Sequence, residues 1–302
     1  MKRLTTYLNE RLVVNKNYKP YTCAPTSFDE LREIIEQRYK EQGSGKKQIP
    51  INFNDIDISN VDTFYDRDNN EGIFKGTKFK YINVSDWDVS SVKNMYGLFY
   101  NCEKLESIGD LSNWNVSNVE DMGFMFYDCK NLESVGDLSK WNVHNVKNTH
   151  SMFSWCNKLM SIGNLSNWDV SKVEDIEEMF KNCYDLESVG DLSKWNVSNV
   201  EDMSRMFCNC HNLKSIGNLS NWDVSKVEYI GGMFAGCENL KSVGDLSDWD
   251  VSKIEYMNEM FGDCKNLKSV GDLSKWNVSN VENMYLMFTN SGITNIPSWY
   301  KK

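Results

Sequence analysis

The chain has 302 residues, and its 33 Lys and Arg stand against 43 Asp and Glu for a formal net charge of −10. Phosphate binding needs clustered cations, and the basic residues here are spread through the chain, so nucleic acid is not expected as a partner. No run of about 18 apolar residues occurs, so no membrane-spanning helix is expected either.

Taken from the N-terminus, Leu4, Tyr7, Leu8 and Leu12 recur at helical spacing and predict a short amphipathic helix within residues 1–19. That stretch has no apolar core of about 7–15 residues, so no secretory leader is expected, and a cytoplasmic location is favoured over classical secretion. Pro20 to Pro25 reads as a linker, which makes residues 1–25 a tail and linker. Ser27-Phe28-Asp29-Glu30 then fits a capping box, with Ser27 as N-cap and Glu30 reaching back. Phe28, Leu31, Ile35 and Tyr39 line one face of a helix over residues 28–42, which Gly43-Ser44-Gly45 ends. Residues 26–48 are therefore expected to cap the remainder of the chain.

Residues 49–83 form a degenerate first copy of a repeat. Ile56-Asp57-Ile58-Ser59-Asn60-Val61 echoes the later phrase Trp-Asp/Asn-Val-Ser-x-Val, with Ile56 at the Trp position and a polar, mobile stretch from Arg67 to Gly72. Residues 84–302 are the array itself and its C-terminal cap. Trp recurs every 27 residues from Trp87 to Trp276, Phe every 27 from Phe99 to Phe288, and Cys every 27 from Cys102 to Cys264. A fixed period in the range of about 20–29 residues marks a leucine-rich-repeat-like solenoid, one elongated body whose coils touch only their neighbours. Pro297, Trp299 and Tyr300 are placed to close the far end.

Within one copy, Val119, Met122, Met125, Phe126 and Cys129 are spaced as on a short helix or 3₁₀ turn facing inward. Leu132 to Leu138 predicts a short strand bent at Gly136, and stacked strands would give a short parallel sheet along one side. The fold class expected is thus an α/β repeat solenoid with an N-terminal capping helix. The glycine repeated at 109, 136, 163, 190, 217, 244 and 271 is read as a backbone or close-packing position. The Cys are read as a ladder of reduced, buried thiols rather than disulfides. The residue after each Trp alternates irregularly between Asp and Asn. Like charges stacked about 4.8 Å apart repel by about 0.9 kcal/mol even in water, so interleaved Asn relieves the column.

No catalytic set is present: there is no nucleophile elbow, no zinc-protease motif and no phosphate-binding loop, so no enzyme, metal or cofactor is expected. His144, His150 and His211 read as surface variants, and the Asp pairs flanking Trp87 and Trp249 lack the ligand density of a calcium loop. A binding surface would instead show as exposed positions that differ between copies. Tyr96, Phe124, His150, Trp155, Arg205 and Tyr229 are such positions. Trp155 is an extra Trp outside the register, and aromatic anchors often carry interfaces.

The phrase Leu-Ser-x-Trp-Asp/Asn-Val-Ser-x-Val-x-x-Met-x-x-Met-Phe-x-x-Cys resembles that of the BspA-like leucine-rich-repeat surface proteins, over residues 52–300. The resemblance implies a right-handed solenoid that binds protein or cell-surface partners, and in secreted members adhesion. A second resemblance is shorter: Met1-Lys2 followed by Tyr7-Leu8 and Glu10 looks like the head-targeting peptide of internal head proteins of tailed bacteriophages. That likeness implies a packaged virion protein cut after Glu10.

Overall fold

The computed structural model describes residues 21–42, 50–69 and 71–301. The expected N-terminal helix within residues 1–19, the cleavage point at Glu10 and the stop at Gly43-Ser44-Gly45 lie outside these residues.

Helix α1 spans Phe28–Gln42. Ser27 Oγ accepts from the Glu30 N–H at 3.2 Å, as a capping residue should. Glu30 does not return to Ser27, however; its carboxylate accepts from Thr26 N at 2.7 Å, one residue further out. Leu31 and Ile35 are fully buried, with Phe28, Ile34 and Tyr39 packed beside them on the core. Tyr39 meets Phe79 edge to face, 4.8 Å between ring centres. Arg38 fastens the helix to the first coil, donating to Asp55 Oδ2 at 2.8 Å and to Asn52 O at 2.7 Å.

The first coil contains β1 (Ile51–Asn52), which pairs in parallel with β4 (Ile82–Asn83). Ile56, at the Trp position, is buried with Phe53, Ile58, Val61 and Phe64. The polar stretch from Arg67 to Gly72 was expected to be mobile. Instead its last two residues form β3 (Glu71–Gly72), which pairs antiparallel with β2 (Tyr65–Asp66) just before it. Arg32 on α1 holds the hairpin by donating to the Gly72 and Ile73 carbonyls, each at 3.0 Å.

From residue 84 on, the coils stack on three interior ladders. Indole rings lie 6.4–6.5 Å apart and nearly parallel from Trp87 to Trp222. Each indole N–H donates to a carbonyl of the coil before it, as Trp195 does to Leu165 O at 2.9 Å. Phe rings stack at 5.2–6.0 Å from Phe99 to Phe288. Each ladder Cys donates its thiol to the Phe carbonyl of the coil before, Cys183 Sγ to Phe153 O at 3.1 Å for example. Burial pushes the thiols from Cys129 to Cys264 up, Cys264 to about 12. Indole and thiol thus enter the core with their own partners, which is what keeps the burial favourable.

Two local expectations need correction. The limb from Val119 to Cys129 is neither a helix nor a 3₁₀ helix but a run of hydrogen-bonded turns. Met125 N bonds Met122 O and Cys129 N bonds Phe126 O, both at 3.2 Å, while Met122, Phe124, Phe126 and Asp128 donate to the next coil at 2.8–3.0 Å. Alternate N–H groups spent between coils cannot close a helix, and positive φ at Phe124 (55°) and Asp128 (60°) breaks it. Paired three-residue turns meet the same inward spacing that suggested a helix. The 3₁₀ turns fall elsewhere, at Leu138–Lys140, Leu165–Asn167 and Leu273–Lys275.

The strand expected over residues 132–138 shrinks to isolated bridges, Ser107 to Ser134 to Ser161. Gly136 has φ 88°, and a Cβ there would collide with the Asp110 carboxylate of the preceding coil. The backbone bends at Gly136, and the inter-coil bonds on either side of it, Leu111 N to Val135 O at 3.0 Å and Leu138 N to Ile162 O at 2.9 Å, do not extend the bridge into a strand. The longer parallel column is on the turn limb, where single bridges run from Thr63 and Asn94 through Asp121, Asn148, Asp175, Asp202, Tyr229 and Tyr256 to Asn283. At the far end Trp299 stacks on Trp276 at 6.2 Å and Tyr300 meets Phe288 edge to face at 5.1 Å.

Candidate functional site

The turn limb is where the copies differ. Its residues fall into columns 27 apart, and in the bridged column an Asx side chain accepts from the N–H two residues on: Asn94 to Tyr96 at 2.8 Å, Asn148 to His150 at 2.9 Å, Asp175 to Glu177 at 2.8 Å. This Asx bond fixes the backbone and leaves the next positions free to vary. Tyr96, Gly123, His150 and Glu177 occupy one such column. Gly123 has no side chain to obstruct, and a Cβ there would press on the Tyr96 ring at 3.1 Å.

Three of the six expected contact residues come together here. Tyr96 lies 5.3 Å from Phe124, and Phe124 lies 4.7 Å from His150. The run extends beyond those three: Tyr65 sits 4.8 Å from Tyr96, Tyr100 6.0 Å from Phe124, and Tyr127 5.3 Å from Phe124. Tyr65, Tyr96, Tyr100 and Phe124, with Gly72, Gly97 and Lys75, enclose a groove of about 130 Å³. The Lys75 ammonium lies 5.7 Å over the Tyr100 ring, within cation–π range.

Past His150 the edge turns acidic. The imidazole Nδ1 is 3.4 Å from Asp175 Oδ2 and 3.3 Å from Glu177 Oε2. Burial opposes its protonation, but the hydrogen bond and charge of Asp175, with Glu177 behind, outweigh it and raise its pKa. Burial and then the charge of Asp202 push the Glu177 carboxyl up, and burial does the same to Asp202.

The remaining expected residues stand apart from this run. Trp155 is half-buried with φ 64° at a position filled elsewhere by Asn101, Asp128, Asn182, Asn209, Gly236, Asp263 and Asn290. Left-handed backbone suits Asn, Asp and Gly and costs a bulky residue, so this Trp is out of keeping with its own fold position. Arg205 reaches back to Glu178 at 3.6 Å, and Tyr229 stacks on Tyr256 at 5.6 Å. His144 pairs on the surface with Asp169 at 2.7 Å, and His211 rests on Tyr184 at 5.1 Å. The Asp and Asn after each Trp are turn-forming acceptors, as Asp169 is for Ser171 N at 3.1 Å. The alternation of Asn and Lys in Val-Ser-x-Val has a cross-coil cause: Lys172 donates to Asn145 and Lys226 to Asn199, at 2.9 and 2.7 Å.

The chain matches the family described as "Mycoplasma protein of unknown function, DUF285" over residues 68–189 and 184–299. It belongs to that family. Its repeated phrase is of the BspA-like leucine-rich kind, and the structure winds it as a repeat solenoid. No curated protein is significantly similar to the chain. Among solved structures it is similar to a leucine-rich repeat protein of T. pallidum, at 22% identity over 61% of this chain and 73% of that one, with a TM-score of 0.39. It is also similar to a leucine-rich repeat protein of Eubacterium ventriosum, at 14% identity over 93% and 91% of the two chains, with a TM-score of 0.34. No helix among the described residues is long and apolar enough to cross a membrane.

Proposed function

We propose that the protein is a non-enzymatic scaffold that binds another protein along the turn edge, with the aromatic run from Tyr65 to Phe124 as anchor. The observation that carries this reading is the run itself. Six rings or imidazoles, Tyr65, Tyr96, Tyr100, Phe124, Tyr127 and His150, lie in a continuous series on the turn limb, at positions where neighbouring coils differ. Side chains that served only the stack would repeat, as the Trp and Phe ladders do. Aromatic residues beside a groove, with a polar and charged margin, match the composition of interface centres.

In this reading residues 26–48 cap the array, 49–83 form its first coil, and 84–302 wind right-handed and present the edge as one elongated face. The partner presents an apolar or aromatic side chain to the groove and basic groups to the acidic end. Trp155, Arg205 and Tyr229 extend the contact along the edge. The test is a titration of one partner, recovered on the immobilised chain, against the wild type and Phe124→Ala. Loss of about 2 kcal/mol, roughly thirtyfold, is expected for an anchor. Equal affinity for both, with Asn196→Ala on the opposite limb weakening it instead, would place the contact on the other face.

A further inference from the structure

His150, Asp175 and Glu177 offer one nitrogen and two carboxylate oxygens, all within 4.8 Å of one another. We propose that they form a divalent transition-metal site, with one imidazole and two carboxylates from two adjacent coils as ligands and water completing the shell. The proposal stands whether or not the turn edge binds a protein.

Three observations carry it. The first is distance. His150 Nδ1 lies 3.3 and 3.4 Å from its two carboxylate oxygens. Two ligands each about 2.1 Å from one ion, at a tetrahedral angle, are separated by about 3.4 Å. The second is fixation. Asp175 is held through Oδ1 by the Glu177 N–H at 2.8 Å, which leaves Oδ2 turned to the imidazole. The His150 backbone is held in turn by Asn148 at 2.9 Å. Supports of this kind orient ligands before the ion arrives.

The third is charge. Elsewhere on the solenoid an acid meets a lysine one coil on: Glu120 with Lys147, Glu187 with Lys214, Glu238 with Lys265. One coil after Asp175 stands Asp202 instead, bridged to it in the parallel column. Among the described residues neither Asp175 nor Glu177 forms an ion pair with Lys or Arg, and His150 is the cationic group that each meets. One coil on from Asp175 and Glu177 stand Asp202 and Ser204, not lysine, and a bound cation would supply the balancing charge. Imidazole with carboxylate suits Zn²⁺, Co²⁺ or Mn²⁺ better than Ca²⁺, whose ligands are all oxygen.

The test is a Co²⁺ titration of untagged, chelator-stripped protein followed by visible absorption, with circular dichroism confirming that each variant is folded. One equivalent should bind with the weak d–d bands of nitrogen and oxygen ligation. His150→Ala and Glu177→Gln should each lose at least about tenfold in affinity, since changing even the outer-shell partner of a ligand costs about that much. His144→Ala, which removes the exposed imidazole beside Asp169, should bind as the wild type does. Absence of binding, binding unchanged in His150→Ala, or a thiolate-to-cobalt charge-transfer band pointing to Cys208 or Cys23 would each overturn the assignment.

Discussion

The two sides of a coil obey different rules. On the Trp, Phe and Cys side every full copy carries the same residue, because each ring or thiol must meet its own kind above and below and reach one particular carbonyl. On the turn edge the backbone ladder and the Asx acceptor do the holding. The side chains between them are released from that duty, and there the chain places Tyr96, Gly123, His150, Glu177, Ser204 and Gly231 one after another in a single column. Repetition marks what the stack needs, and departure from repetition marks what something outside the stack can use.

This contrast can be broken from its strong side first. Trp195→Ala removes a stacked ring and the 2.9 Å bond to Leu165 O, and is expected to cost about 3–5 kcal/mol in urea unfolding. Phe124→Ala, on the edge, should cost far less, about 1 kcal/mol or under, because its ring is only half-buried. Equal losses would mean that the edge is as structural as the core. Gly190→Ala comes next, at about 1–3 kcal/mol, since its φ of 89° and the Asn164 side chain both oppose a Cβ.

A smaller effect concerns the N-terminal helix and pH. Burial works against the Asp55 carboxylate, but the bonds from Arg38 and Thr22 more than offset it and lower its pKa. A depressed carboxyl pKa contributes stability above the unfolded value of about 3.9, and that contribution is lost as pH falls through the folded value. Acid should therefore loosen α1 from the first coil, and Asp55→Asn should flatten that part of the melting-temperature profile below about pH 4. An unchanged profile in the variant would remove Asp55 from the account. The smallest effect is expected at Trp155→Asn. Relief of the left-handed backbone offsets the lost burial, so stability should stay within about 1 kcal/mol of wild type while partner affinity falls.

Much of this was legible in the sequence. The strict 27-residue beat pointed to the solenoid and its ladders, and the capping residues to the helix that packs on the first coil. Local conformation was harder to read: turns with alternating positive φ place Met122, Met125 and Phe126 inward at the same intervals a helix would. The edge was legible in part. Tyr96, Phe124 and His150 were visible as exceptions within the repeat. Tyr65 was hidden because the first coil is off the beat, and Glu177 because a Glu in a charged surface attracts no notice. Adding one period to His150 lands on Glu177, a signal that was available in the numbering but carries meaning only once coils are known to stack in register.

The most direct measurement is hydroxyl-radical footprinting of the chain with and without a recovered partner. The account expects Tyr96, Tyr100, Phe124 and Tyr127 to lose reactivity in the complex. Met160, which is 56% exposed in a column outside the edge, should keep its own. Protection of Met160 with the edge aromatics unchanged would contradict the claim that the turn edge is the face that binds.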